Sequence, residues 1–325
     1  MSLSEDLARI CRDALEDPAL VGVGELLRAE GVGASECHRL VSSVGDSAES
    51  HGPIARIKQL VRQHEPALAI DGHLERFLLL NSASLFFREI ERIPVADSVK
   101  DLYRDEFLFL AKPPARDIGM FEVQQYRFAE MCKIVSGRRF PAGQLHWEVS
   151  GMSRRPLLRL PVSEIAKVFG FVCRKTGGFR PCFASHLNGR RKNRVSLLES
   201  LQNAAYLRIA KSMELQPKVR AYIATSWLYS AATEKASPHL GWLRSIFLEN
   251  GGLIVDLGPD TVDCGALAGS EQRQLLWEKG QFQPRRAMVI WPRNEMLQWA
   301  EKYAKNENRC GHQVGTEAVP AMLPA

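Results

Sequence analysis

Hydrophobic residues are spaced differently in the two halves of the chain. Up to about residue 137 they recur at three- and four-residue steps, as over 74–93 and 95–110, which is the spacing of buried helix faces. From Phe140 onward, short apolar, β-branched and aromatic runs alternate with helical stretches, which predicts strands between helices. The pattern predicts an α/β (α+β) fold in which a helical N-terminal domain precedes a mixed-sheet domain.

Changes in this pattern divide the chain into four predicted segments. Residues 1–52 are rich in Gly and Ser and contain only short amphipathic stretches, so we predict an arm with short helices. A helical domain is predicted over 53–137 and an α/β domain over 138–303. Residues 304–325 have no periodicity and end in Pro and Ala, which predicts a flexible tail.

Residues 180–229 contain the clearest succession of elements. Residues 179–187 are apolar and aromatic and end at the turn dipeptide Asn188-Gly189, which predicts a strand. Helical spacing then predicts a helix over about 193–215, which ends at a Gln-Pro pair. The β-branched and aromatic residues of 219–227 predict the return strand.

The remaining elements of the second half are predicted from the same signals. Apolar and polar residues alternate over 144–150, as in a half-buried strand, and 157–160 is the predicted hairpin partner. Apolar periodicity and turn residues predict helices and strands further along the chain. These are helices over 162–171, 237–249, 270–279 and 293–303, and strands over 253–257 and 286–291.

Positive charge is concentrated in the middle of the chain. The net charge of the 325 residues is +6, yet residues 133–220 contain 18 Lys and Arg against 4 Asp and Glu, a local net charge of +14. Such a block predicts a phosphate-bearing partner, whether a coenzyme, a nucleotide or a nucleic acid.

Several classes of protein are disfavoured by what the sequence lacks. The seven cysteines are widely spaced with no CxxC pair, which favours reduced thiols over disulfides or a zinc site, and we predict no metal. No apolar run reaches membrane-spanning length and the N-terminus is acidic, so we expect a cytoplasmic protein without a membrane partner. The motifs of dinucleotide oxidoreductases, P-loop enzymes, zincins and serine hydrolases are also missing.

Two pairs of side chains and one tyrosine are candidates for catalysis. His146 and Glu148 fall on one face of the predicted strand, where they could act as general base and proton relay, although such a face is often only the polar side of a strand. Cys182 and His186 share a face of the next predicted strand, and a nucleophile pair is conceivable there. Tyr229 follows a predicted strand end, where α/β proteins place ligand contacts, although packing explains it equally well.

A basic loop precedes the predicted long helix. Backbone amides and the dipole at a helix N-terminus favour an anion, so cations on a Gly turn at this point predict a phosphate site. The alternative is a solvated basic loop. The residues concerned are Asn188, Gly189, Arg190, Arg191, Lys192, Asn193 and Arg194.

The order strand, basic Gly loop, long helix, strand, helix, Asn-Gly-Gly stop and strand over 180–257 resembles the core of GNAT-type N-acyltransferases. The resemblance covers about a quarter of the chain. It implies that the loop from Asn188 to Arg194 holds the pyrophosphate of coenzyme A. It also implies that Tyr229 lies near the acyl carbonyl as a proton donor.

The sequence therefore suggests an acyltransferase that moves an acyl group from acyl-CoA to an amine acceptor, with His146 or Glu148 as base and Tyr229 as acid. An aminoacyl-tRNA donor is a variant that would account better for the charge of residues 133–220. The alternative is a non-enzymatic protein that binds nucleic acid or a protein partner through the same basic segment.

Overall fold

A computed structural model describes residues 2–45, 51–66, 72–112, 126–187, 198–261, 265–268 and 270–309. It is mixed α/β, with one six-stranded mixed sheet. The described residues form two compact units. The first contains those up to Val149 together with 185–187, and the second contains 150–184 and those from Leu198 onward.

The first unit is mainly helical. Two of its helices begin at strong caps. Ser2 forms a capping box with Glu5 at the start of the first helix. At the start of the second, the side chain of Asp17 accepts a hydrogen bond from the amide of Ala19, and Pro18 is the first helical residue. In the described residues its helices are α1 Leu3–Leu15, α2 Pro18–Ala29, α3 Ala34–Ser43, α4 Gly52–His64, α5 His73–Phe86, α6 Asp97–Lys100, α7 Leu102–Ala111 and α8 Tyr126–Val135.

Helix α5 lies at the centre of this unit. α1, α2 and α3, which belong to the segment predicted as an arm over 1–52, each pack against it within the unit. An aromatic cluster of Phe86, Phe87, Tyr103 and Phe107 extends the core, with ring centroids 4.9–6.4 Å apart. These large buried rings account for much of the apolar area removed from water.

The strand order of the sheet is β1-β2-β3-β4-β6-β5. In the first unit β1 is antiparallel to β2, and in the second β6 is antiparallel to both β4 and β5. The strands are β1 Arg139–Pro141, β2 Leu145–Ser150, β3 Cys182–Leu187, β4 Ala221–Ser226, β5 Leu253–Pro259 and β6 Arg285–Pro292.

The predicted hairpin partner of β2 is wrong. Residues 157–160 form a 3-10 turn over Leu157–Arg159, and the antiparallel partner of β2 is the three-residue strand β1 before it. The Pro before Leu157 and the Pro after Leu160 both favour a turn at this point.

The helices predicted in the second half of the chain are confirmed. They are α9 Val162–Phe171, α10 Glu199–Glu214, α11 Ala231–Ala236, α12 Trp242–Glu249, α13 Glu271–Glu278 and α14 Arg293–Arg309. Three details differ: α12 begins at Trp242, after a 3-10 turn over Pro238–Leu240, rather than at 237; a short α11 precedes it; and α14 continues to Arg309, beyond the predicted end at 303. Residues from 310 onward, in the predicted tail, lie outside the described part of the chain.

The core of the second unit is aromatic. Tyr206 on α10 packs edge to face against Tyr222 on β4, Phe247 on α12 and Trp291 on β6, with centroids 5.5–5.9 Å apart. Trp299 on α14 lies 5.2 Å from Trp291. The long helix α10 is thereby held against strands and helices that follow it in the sequence.

Candidate functional site

A charged network lies inside the first unit, centred on the imidazole of His146. The ring is fully buried on β2, and its Nδ1 lies 2.7 Å from Glu130 Oε1 on α8. Its Nε2 lies 3.3 Å from Glu106 Oε1 on α7. Because both ring nitrogens face carboxylate oxygens, the ring can donate to both only as an imidazolium. The geometry favours a positively charged His146 between two negative side chains.

Two arginines neutralise the same carboxylates. Arg127 on α8 contacts Glu130 Oε2 and lies 3.5 Å from Glu106 Oε2. Arg139 Nη1 on β1 lies 3.8 Å from Glu130 Oε1. All of these side chains are buried, and a buried ion is costly unless it is paired. Each of the two carboxylates therefore has at least two cationic partners.

The pKa values follow from these contacts. Burial raises the pKa of Glu130, but the hydrogen bond from His146 and the charges of Arg127 and Arg139 outweigh burial and lower it to about 2. Burial lowers the pKa of His146, but the charges and hydrogen bonds of Glu106 and Glu130 outweigh it and raise that pKa. Both shifts favour the charged forms.

Glu148 continues the network towards the surface. Its Oε2 lies 3.3 Å from Lys133 Nζ and 3.2 Å from Arg139 Nη2. Its Oε1 lies 3.4 Å from His186 Nε2 on β3, which is an ion-pair distance rather than an aligned hydrogen bond. The side chain of His186 is 35% exposed and that of Glu148 is 18% exposed. His186 is the most accessible titratable side chain of the network.

The surroundings of Glu148 keep it ionised. Burial raises its pKa, but the contact with His186 and the charges of Arg139 and Lys133 outweigh burial and lower the pKa to about 2. A carboxylate of such low pKa is a weak base, because it holds a proton poorly near neutral pH. It can, however, orient the neighbouring imidazole of His186, as carboxylates do in many acid–base sites.

Two local features of the sequence build this network. Arg127, Glu130 and Lys133 occur at three-residue steps and so lie on one face of α8. The antiparallel register of β1 with β2 places Arg139 opposite Glu148. One helix face and one strand pair therefore bring most of the charges together.

The structure brings His146 and Glu148 to one face of β2, but the alternating burial predicted for that strand is wrong. Trp147 is fully buried like His146, and Val149 is 48% exposed. The reason is that the buried carboxylates of α7 and α8 contact the polar side chain at the start of the strand, so both faces are covered there. His146 cannot contact a substrate in this conformation, because none of its surface is accessible.

Tyr229 lies in the second unit, inside the aromatic core. Its hydroxyl is hydrogen-bonded to those of Tyr206 and Tyr222, and Tyr206 Oη is 3.1 Å from Gln202 Nε2. Burial raises the pKa of Tyr229 to about 12, so the hydroxyl keeps its proton at neutral pH. The side chain is only 4% exposed, and its role as a proton donor stays a prediction.

Cys182 is a buried thiol. Its Sγ donates to the carbonyl of Phe179 at 3.5 Å, and burial raises its pKa to about 11. A nucleophilic cysteine needs a lowered pKa and access to substrate, so this environment disfavours the Cys182–His186 pair. The contact described for His186 is with Glu148 instead.

The predicted phosphate loop, from Asn188 to Arg194, lies outside the described residues. The described cations of the basic segment 133–220 include two contrasting groups. Lys133 and Arg139 are neutralised by Glu148. In the second unit, six exposed arginines of this segment form no ion pair with any described residue: Arg154, Arg155, Arg159, Arg174, Arg180 and Arg220.

Five members of the network were not identified from the sequence: Glu106, Arg127, Glu130, Lys133 and Arg139. A signal for three of them is present, because charges at every third position of α8 alternate with the buried apolar residues Phe128, Met131 and Cys132. Charged side chains that lie next to core positions on a helix are usually paired with other charged side chains of the protein. What that pattern does not contain is the identity of the partners on α7 and β2.

No family model, curated protein or solved structure gives a significant match to the chain. Across the described ranges, no helix combines the length and the apolar character needed to cross a membrane. Within the same ranges, no three His, Cys, Asp or Glu side chains are grouped so that they could hold a metal ion.

Proposed function

We propose that the protein is an acyltransferase in which His186, oriented by Glu148, is the general base. The observation that carries the proposal is this pair at the accessible end of a network that is otherwise buried. Lys133 and Arg139 fix the carboxylate of Glu148, and the carboxylate lies against one nitrogen of the half-exposed ring. A fixed carboxylate beside an accessible imidazole is a common arrangement for moving a proton.

The proposal replaces His146 and Glu148 as base with His186. In the reaction, His186 takes a proton from the acceptor ammonium group, and the amine nitrogen attacks the acyl carbonyl. A C–N bond forms, the C–S bond of the thioester breaks, and the second proton lost by the nitrogen passes through solvent to the leaving thiolate. Glu148 stabilises the imidazolium that forms in the first step.

The order of elements supports this assignment. β3, α10, β4, α12 and β5 follow one another as the resemblance to GNAT-type N-acyltransferases implies, and Tyr229 lies three residues after the end of β4. The donor would be acyl-CoA, with its pyrophosphate on the loop from Asn188 to Arg194, or an aminoacyl-tRNA. The acceptor would be a small-molecule amine.

The test is release of free thiol from acetyl-CoA and longer acyl-CoAs in the presence of a panel of primary amines. We expect amine-dependent release, and we expect His186→Gln to lower kcat/KM by about 10²–10⁴-fold, the usual contribution of a general base. His239→Gln, at an exposed histidine of the second unit, is the matched control and should keep wild-type activity.

Two results would contradict the proposal. One is the absence of thiol release with every donor and amine. The other is full activity of a His186→Gln variant whose circular dichroism matches that of the wild type.

A second candidate function, binding of a nucleic acid, is favoured by the arginines around Phe179. The guanidinium of Arg154 lies 4.9 Å from the centroid of the Phe179 ring. The side chain of Arg180 lies directly against Gly151, and its carbonyl accepts from Arg220 Nε at 2.9 Å. Exposed arginines beside an aromatic ring suit both phosphates and stacked bases.

Salt dependence tests this second function. A fluorescent single-stranded RNA is titrated with the protein at increasing salt, and the slope of log K against log salt gives the number of phosphates contacted. Arg154→Gln and Arg180→Gln should each reduce that slope by about 0.7. Lys279→Gln, an exposed cation elsewhere in the second unit, should leave it unchanged. A slope near zero for the wild type would rule the function out.

A further inference from the structure

The first unit contains a cavity between α2, α3 and α5. Its volume is about 300 Å³. Most of the wall is apolar, formed by Leu20, Val32, Cys37 and Phe77 among others, and the polar side chains on it are Arg28 and Asn81. A cavity of this size is at the lower end of the range for small-molecule sites.

Close approach of two helices forms one side of the cavity. A Cβ at Gly24 on α2 would lie 2.7 Å from Cε2 of Phe77 on α5, so only glycine lets the ring lie against the α2 backbone. Cys37 on α3 is buried, and burial raises its pKa to about 11, so it contributes a neutral wall. The interior of the cavity is therefore suited to an uncharged chain.

Arg28 places a positive charge at this apolar cavity. Its Nε donates to the carbonyl of Gly24 at 3.0 Å, which ties the side chain to the last turns of α2. The exposed Arg28 side chain forms no ion pair with any described residue, although Glu25 and Glu30 are on or beside the same helix. Asn81 uses its Nδ2 to donate to the carbonyl of Phe77 at 2.9 Å. The guanidinium of Arg28 can therefore bind an anion at the cavity.

We propose that this cavity binds an aliphatic carboxylate, with the chain against the apolar wall and the carboxylate on Arg28. At roughly 30 Å³ for each non-hydrogen atom, the share of a water molecule in the liquid, the cavity holds about ten such atoms. Octanoate has this size. The inference uses neither His186 nor a thioester, so it can be tested independently of the acyltransferase proposal.

The first test compares ligands on the wild-type protein by isothermal titration calorimetry. Octanoate should bind in a saturable one-to-one manner. Octylammonium, which has the same chain and the opposite charge, should bind at least tenfold more weakly, and so should butyrate, which fills less of the apolar wall. The absence of saturable octanoate binding, or equal binding of octanoate and octylammonium, would overturn the proposal.

Two variants test the placement of the ligand. Arg28→Gln should weaken octanoate binding about tenfold, because a charge-assisted hydrogen bond is lost. Arg12→Gln, at an exposed arginine of the same unit that does not line the cavity, is the control and should bind as the wild type does. Val32→Phe fills part of the cavity and should abolish binding. Unchanged affinity in Arg28→Gln would show that the carboxylate does not lie on Arg28.

Discussion

Glu130→Gln removes one negative charge from the buried network and keeps the size of the side chain. Folding lowers the pKa of this carboxyl from 4.5 to about 2, so stability is linked to its ionisation. A lowered pKa stabilises the folded protein above the unfolded-state pKa, and this contribution is lost as the pH falls through the folded-state pKa. The variant should therefore be less stable than the wild type at neutral pH.

The pKa shift sets the size of the effect. A lowering from 4.5 to about 2, at about 1.4 kcal/mol for each unit, corresponds to about 3 kcal/mol of unfolding free energy at pH 7. At pH 3 about 1 kcal/mol of this remains, because most of the unfolded carboxyl is then protonated. His146 contributes in the opposite sense: its raised pKa stabilises the fold below the ordinary value of 6.5, and this is lost as the pH rises through the folded-state pKa.

The assay is urea unfolding at pH 7, 5 and 3, followed by circular dichroism. Amide hydrogen exchange of peptides that cover β1 and β2 shows whether the loss of stability is located at the network. Glu36→Gln is the control, because that carboxylate is on α3 and pairs with Arg39 at the surface, where an ion pair contributes little. Equal stability of Glu130→Gln and wild type at pH 7, or a difference that does not shrink towards pH 3, would refute the linkage argument.

Three further substitutions test the packing of the two units by urea unfolding. Phe107→Ala removes a ring at the centre of the aromatic cluster of the first unit and should cost about 4 kcal/mol; a cost below 1 kcal/mol would show that the cluster is not packed. Tyr206→Phe leaves Gln202 Nε2 without its buried partner and should cost about 2 kcal/mol, whereas a neutral effect would mean that Gln202 finds another acceptor. Gly251→Ala forces a Cβ onto a residue with φ of 74° and to within 2.6 Å of Glu295 Cγ; it should cost about 1–2 kcal/mol, and a stabilised variant would contradict that strain.

The elements that the sequence predicts well are those with clear ends. β3 and β4 are short apolar runs, and α10 ends at Glu214, two residues before Gln216-Pro217. The apolar faces of these elements pack against the core, so the local pattern and the tertiary structure agree. Where an element has a clear apolar face and a clear end signal, its type and its buried face can be predicted from the sequence.

β1 and the burial of His146 were harder to predict for the same physical reason. β1 has only three residues, one of them Arg139, and nothing in its own pattern shows that Glu148 neutralises this buried charge. His146 has the sequence context of a solvated strand face, but carboxylates far away in the chain cover it. Pairing of buried charges depends on tertiary contacts, which a periodicity does not contain.

The candidate base shows how far the sequence leads. The pattern indicates that a carboxylate and an imidazole come together near β2, and it names His146 and Glu148. The structure shows Glu148 beside the accessible ring of His186 on the neighbouring strand, and His146 buried behind it. Deciding between two histidines requires their exposure, which only the fold provides.

The most direct test of the acyltransferase proposal is the thermal unfolding midpoint with and without acetyl-CoA, longer acyl-CoAs and free CoA. A ligand bound only by the folded protein raises this midpoint by mass action. The proposal predicts a rise for the wild type and for His186→Gln, which keeps the binding loop, and no rise when Arg190, Arg191 and Arg194 are all changed to Ala. No shift of the wild-type midpoint at millimolar thioester would contradict the assignment of acyl-CoA as the donor.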